Sequence, residues 1–320
     1  MKKKFFAIAT VMMIGLFGLS ACGDNGKTAK TNTSKTSETA TAQKIKVTDS
    51  NGEVEVPLNP QKVVVFDNGS LDTMDALGVG KKVVGAATKN LPQYLKNYQK
   101  VESAGGIKEP DLEKINQLQP DLIIISGRQR DFQEKLAQIA PTIYLAIDNA
   151  DTWNSTKHNI QTLGQIFDQE QTAKKKIAEL EKEITAVKEQ ASASGQKALV
   201  TLVNEGQLSA YGTKSRFGIV YDTFGFAPAD DQIKASTHGQ SVSYEYLLEK
   251  NPDILFVVDR TQAIGGDTTN NNVADNELVQ QTKAGKDNKV ITLQPDVWYL
   301  SGGGLESTHL MIGDVKKGLE

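Results

Sequence analysis

The chain has 320 residues, more than one hydrophobic core usually holds, because single cores stop growing near ~250–300 residues and chains then divide. Its 38% hydrophobic content and 27 glycines are ordinary for a globular protein and exclude wholesale disorder. A formal net charge of -3 lacks the overall positive field of a nucleic-acid binder, and one cysteine excludes an internal disulfide, a thiolate metal cage and a CxxC pair.

In chain order, Lys2, Lys3 and Lys4 precede an apolar run from Phe5 to Leu19. That run is shorter than the ~20 residues of a membrane span and suits the core of a signal peptide, so residues 1–21 read as an export signal. Leu19-Ser20-Ala21-Cys22 resembles a bacterial lipobox, which implies a lipid on Cys22. Residues 22–43 are mostly Thr, Ser, Lys and Ala with little to bury, and read as a flexible tether. Together these features place the body on the extracytoplasmic face of a membrane. Residues 1–21 carry three lysines and no acid, so the remainder is more acidic than the whole chain.

The body begins with an alternating stretch from Ile45 to Val56, which predicts a hairpin turning at Asn51-Gly52. Short apolar runs follow at Val63–Phe66, Val83–Ala86, Leu122–Ile125 and Ile143–Leu145, separated by helical stretches. This alternation predicts a parallel α/β sheet with strands buried on both faces. From about Thr152 to Ser194 the pattern becomes helical, with Ala173, Ile177, Leu180, Ile184, Val187 and Ala191 on one stripe. A helix from Gln169 to Ala193, capped by Asp168 with Gln171 and ended by Gly195, would be ~37 Å long and serve as a strut. Beyond it, Leu199–Val203, Ile254–Val258 and Val290–Leu293 resume the α/β rhythm. The expected organisation is therefore a first lobe at 44–152, a helical connector at 153–194 and a second lobe at 195–320. Both lobes should hold parallel-rich sheets flanked by helices.

An internal echo relates the lobes. Pro120-Asp121 followed by Leu122–Ile125 and Arg128 matches Pro252-Asp253, Ile254–Val258 and Arg260, with Glu113 and Glu245 in the preceding helices. Ligands of open α/β sheets bind at the carboxyl ends of strands, so Arg128 and Arg260 are expected to meet across a cleft. Arg216, in Ser215-Arg216-Phe217-Gly218, lies in another such loop, and three guanidiniums would suit an anion carrying about three charges. Gly78-Val79-Gly80-Lys81-Lys82 lacks phosphate-loop spacing, and there is no Gly-x-Ser-x-Gly to present a nucleophile, so no catalytic residue is assigned. Of three histidines, His158 and His309 fall in helical stretches, whereas His238 sits in the polar loop Ser236–Ser241. Trp298 and Tyr299 border the glycine run Gly302–Gly304, and Trp298 reads as a core residue.

With lipobox, tether, paired lobes and strut, the body resembles the iron-siderophore uptake lipoproteins of the periplasmic-binding-protein class. Ser126-Gly127-Arg128-Gln129, Ser215–Gly218, Thr237-His238-Gly239, Val257-Val258-Asp259-Arg260 and Trp298-Tyr299-Leu300 resemble the petrobactin and catecholate branch. The resemblance implies a monomeric, non-enzymatic receptor with no intrinsic cofactor, which passes a ferric siderophore to the permease and ATPase of an ABC importer. It implies that Arg128, Arg216 and Arg260 face a trianionic ferric tris-catecholate and that Glu113 and Glu245 dock onto the permease. It also implies that His238 and Tyr299 ligate Fe(III) when a chelate fills only four of its six sites. Receptors of the same fold for haem, cobalamin or a hydroxamate chelate are the alternative, and a surface hydrolase or chelatase is a more distant one.

Overall fold

The computed structural model describes residues 43–89 and 91–320. The expected signal segment, Cys22 and nearly all of the tether lie outside the described residues.

The described chain opens with an antiparallel hairpin of β1 (Lys44–Asp49) and β2 (Gly52–Pro57). Its turn is one residue earlier than expected. Asp49 pairs with Gly52, so Ser50 and Asn51 form the loop, and Asp49 Oδ1 accepts from Asn51 N at 2.7 Å. Asp49 Oδ2 also accepts from Tyr144 N at 3.0 Å, docking the hairpin onto the first sheet.

That sheet contains β3 (Val63–Val65), β4 (Val83–Ala86), β5 (Glu102–Ser103), β6 (Leu122–Ile125) and β7 (Thr142–Tyr144). All pairs are parallel, in the order β5-β4-β3-β6-β7. The chain winds outward from β3 in one direction and then returns to β6, so the order reverses between β3 and β6. A crevice opens outside the carboxyl ends of strands at such a reversal. Strand β6 is buried on both faces, with Leu122 and Ile124 in one apolar cluster and Ile123 and Ile125 in another. This is why its sequence is continuously apolar rather than alternating.

The second sheet is mixed. Strands β8 (Lys197–Asn204), β12 (Ile254–Asp259) and β13 (Val290–Thr292) are parallel, and the short β10 (Ala227–Pro228) pairs parallel with the start of β8. Strands β9 (Gln207–Tyr211) and β11 (Gln240–Val242) extend it antiparallel, so the sheet is parallel-rich, as expected, with an antiparallel edge. Glu205 and Gly206, both at positive φ, make the tight β8–β9 turn.

The sequence echo is structural. Seven-residue helices Leu112–Leu118 and Tyr244–Lys250 are capped by Asp111 and Ser243 and end in left-handed Gln119 and Asn251. The following aspartates each bind the backbone entering a central strand. Asp121 Oδ2 accepts from Lys62 N at 2.9 Å, and Asp253 Oδ2 from Lys197 N at 2.8 Å.

Helices Thr152–Ile166 and Glu170–Ser194 join the sheets, and all six expected stripe residues of the longer one are buried. Gly195, at φ 62°, ends it as expected. Its start differs. Asp168 adopts φ 57°, Gln169 takes the cap position without a side-chain bond to the helix backbone, and the expected capping box does not form. The close corner between the two helices explains this: a Cβ on Gly164 would lie 2.9 Å from that of Ala173, so the linking residues follow the packing rather than their capping preference. The last helix, Leu305–Lys316, packs on both the long helix and helix Asn68–Ala76 of the first lobe.

Candidate functional site

The crevice outside β3 and β6 is part of a cleft of about 500 Å³ bordered by loops of both lobes. Phe66 and Asp67 follow β3 into it, and Ser126 to Gln129 follow β6. The buried Gln129 sets the β6 turn, its Oε1 accepting from Ser126 N at 3.0 Å and its amide donating to the Ile107 carbonyl. From the second lobe come Arg216, Phe217, Thr237 and His238.

Tyr299 lies at the centre. It is carried on the helical turn Asp296–Leu300, anchored by the Trp298 indole donating to Asp314 at 3.0 Å and by Asn68 Nδ2 donating to Leu300 O at 2.9 Å. Arg128 and Arg216 each donate an Nη2 hydrogen to the Tyr299 carbonyl at 2.8 Å, and Arg260 Nε donates to its hydroxyl at 2.7 Å. The Arg216 guanidinium also stacks 4.3 Å from the Tyr299 ring centre. Burial raises the Tyr299 phenol pKa, but the Arg260 hydrogen bond and the Arg216 and Arg260 charges outweigh it and hold the phenol below its ordinary value. The Arg128 pKa is lowered by burial and by repulsion from Arg216, against the opposing pull of Asp67 and Tyr299. A guanidinium has five donors, so Arg128 and Arg216 keep unused N–H groups for an anion.

The sequence-selected residues therefore occupy different places. Arg128, Arg216, His238 and Tyr299 border the cleft. Arg260 is not among the bordering residues: it binds Tyr299 and Asn204 and reaches the cleft through the tyrosine. Exposed His238 lies on a loop tied by its carbonyl, which accepts from Tyr211 OH at 3.0 Å. Trp298 is both core and cleft floor. Glu113 and Glu245 are exposed at matching second positions of their helices, outside the cleft. Among the other histidines, His158 bonds the Thr48 carbonyl and His309 pairs with Glu183. Sequence reading missed Asp67 and Lys108, both of which border the cleft. Asp67 carried the same signal as Arg128, a polar residue just past a buried strand, whereas Lys108 carried none.

A profile of the periplasmic binding protein family matches residues 63–297, from β3 to the turn that presents Tyr299. The chain belongs to this family. It is 45% identical over 319 residues to the petrobactin-binding protein YclQ of Bacillus subtilis (strain 168), covering 99% of each chain. The crystal structure of YclQ matches with a TM-score of 0.85 over 87% of this chain and 99% of the other. The ferric-anguibactin-binding protein FatB of Vibrio anguillarum is 33% identical over 86% of this chain and 88% of its own. The periplasmic catecholate-siderophore binding protein VctP of Vibrio cholerae, 32% identical, matches with a TM-score of 0.81 over 86% of this chain and 100% of that one. Each of these relatives is a binding protein, and the two-lobed fold on a long helix is shared.

Proposed function

We propose that this family member is an extracytoplasmic receptor that binds a ferric catecholate-type siderophore in the cleft and hands it to the permease of an ABC importer. The observation that carries this reading is the convergence of Arg128, Arg216 and Arg260 on Tyr299 beside an open cleft. At an effective dielectric of ~20 each unit charge pair at ~4 Å is worth roughly 4 kcal/mol before desolvation, so the site favours a multiply charged anion over a neutral chelate.

Fe(III) is the cargo here, and the siderophore supplies most of its ligands. With a chelate that leaves two iron positions open, His238 and the Tyr299 phenol would complete the shell, a hard phenolate oxygen and an imidazole being suitable donors. The lowered phenol pKa supports this role. A hexadentate chelate would leave both as cleft lining. The protein acts as a monomer held by a lipid on Cys22, with residues 22–43 as tether, lobes at 44–152 and 195–320 and the connector at 153–194.

Titration of the purified protein with ferric tris-catecholate, ferric bis-catecholate, ferric hydroxamate, haem and cobalamin, read by quenching of Trp298 in the cleft, tests the reading. The catecholates should bind most tightly, and the bis-catecholate alone should gain a phenolate-to-iron absorption that Tyr299→Phe removes. Tighter binding of haem, cobalamin or the hydroxamate would overturn the ligand class, and no such absorption would confine Tyr299 and His238 to lining. Membrane fractionation of Cys22→Ser tests the anchor, which is wrong if the variant still sediments with membranes.

A further inference from the structure

Gln129 directly follows Arg128, is only 1% exposed, and uses both ends of its amide. Oε1 accepts from Ser126 N at 3.0 Å, and Nε2 donates to the Ile107 carbonyl. Burying an amide is costly unless each end is satisfied, and here the two partners belong to different segments. Ser126 leads into the turn that carries Arg128. Ile107 lies in a turn that closes on itself, with Gly105 bridged to Pro110 and Gly106 N donating to Glu109 O at 2.9 Å. Lys108, exposed on that turn, borders the cleft. Among the described residues, the Gln129 amide makes the only hydrogen bond from residues 106–109 to another element. Glutamate at 129 could not replace it, because a carboxylate would face the Ile107 carbonyl with no hydrogen to donate. The second lobe repeats the device. Thr261 directly follows Arg260, is 2% exposed, and its Oγ1 accepts from Glu205 N at 2.9 Å. Glu205 in turn follows Asn204, which accepts from Arg260. In each lobe the buried polar residue after the arginine ties down the segment beside it.

We infer that Gln129 is a positioning residue, which locks the Lys108 turn to the Arg128 turn so that a bound anion meets both cations at once. It acts through the lysine. Arg128 is already held at its head by the Tyr299 carbonyl, whereas Lys108 depends on the Gln129 amide for its place at the cleft. This rests on the receptor reading above and deepens it.

The test is a double-variant cycle on the full chain, with a ferric tris-catecholate as the probe. Lys108→Gln alone should weaken binding about fivefold, the contribution of one unit charge pair near water. Gln129→Met keeps the buried volume but removes both hydrogen bonds, and should cost about as much by itself. The double variant should then bind no more weakly than either single one, because a lysine already displaced has nothing more to lose. Gln129→Glu keeps the Ser126 bond and loses the Ile107 bond, so it should behave as Gln129→Met does, and it carries the test if the methionine variant folds poorly. Losses that multiply in the double variant, or the absence of a loss from one of the single substitutions, overturn the inference and leave the receptor reading intact. A wild-type chain that does not bind the probe overturns the receptor reading, and the inference with it.

Discussion

At Tyr299 the carbonyl takes hydrogen bonds from Arg128 and Arg216 while the hydroxyl takes one from Arg260, so one residue holds guanidiniums delivered by three separate loops. The three arginines are not equivalent. Arg128 and Arg216 border the cleft, whereas Arg260 stands behind the tyrosine ring, 5.5 Å from its centre. Replacing Arg128 or Arg216 by Gln should weaken a trianionic ferric catecholate by tenfold or more, about 1.4 kcal/mol, and leave a neutral ferric hydroxamate little changed. Arg260→Gln should act differently, raising the pH at which the Tyr299 phenol ionises, as followed by difference absorbance with Tyr299→Phe as the reference. Parallel losses for the charged and neutral ligands would mean instead that the substitutions damage the fold.

Between elements, the most consequential junction is the start of the last helix. Asp72, on helix Asn68–Ala76, accepts from Glu306 N at 2.8 Å and Ser307 N at 2.7 Å, and Tyr94 OH bonds Ser301 Oγ at 2.5 Å beside it. Gly69 packs so closely that a Cβ there would fall 2.5 Å from the Gly302 carbonyl. The first lobe thereby grips the loop that follows Tyr299. Burial raises the Asp72 pKa from 3.8 to about 6, more than the Ser307 and Glu306 N–H bonds lower it. A carboxyl raised on folding adds stability that is full below its unfolded pKa near 4 and is lost as pH rises through 6. The term is on the order of 3 kcal/mol. Urea unfolding at pH 4 and pH 7 should therefore show that the stability advantage of wild type over Asp72→Asn is larger at pH 4. An advantage independent of pH would remove Asp72 as the titrating group.

Across the whole molecule, one apolar cluster runs from Val63 and Leu122 in the first lobe, through Ile177 and Val187 of the long helix, to Phe256 in the second. The lobes are thus fastened through a continuous core, and Glu113 and Glu245 ride on matching helices of a braced frame. Reversing both charges with Glu113→Lys and Glu245→Lys should abolish cellular iron uptake while chelate affinity in solution stays unchanged. Both carboxylates are exposed, and no cleft contact depends on either. A matching loss of affinity would refute a docking role.

Much of this was legible in the sequence because it is set by short-range periodicity. Six apolar residues at helical spacing determine one buried stripe whatever surrounds them, and continuous runs such as Leu122–Ile125 suit only strands covered on both faces. The repeat of Pro-Asp, strand and arginine likewise marked Arg128 and Arg260, because strand ends in α/β sheets converge by geometry. Local preference failed where packing competed with it. Asp168 gave up its cap at the tight helix corner of Gly164 and Ala173, and the hairpin turn, where Asp49 accepts from Asn51 N, falls one residue earlier than Asn51-Gly52 predicts. What no local pattern encodes is which loop meets which. The return of the last helix onto Asp72, the position of Arg260 behind Tyr299 and the lone carboxylate of Asp67 in a cationic cleft depend on contacts between residues far apart in the chain, and only the tertiary structure decides those.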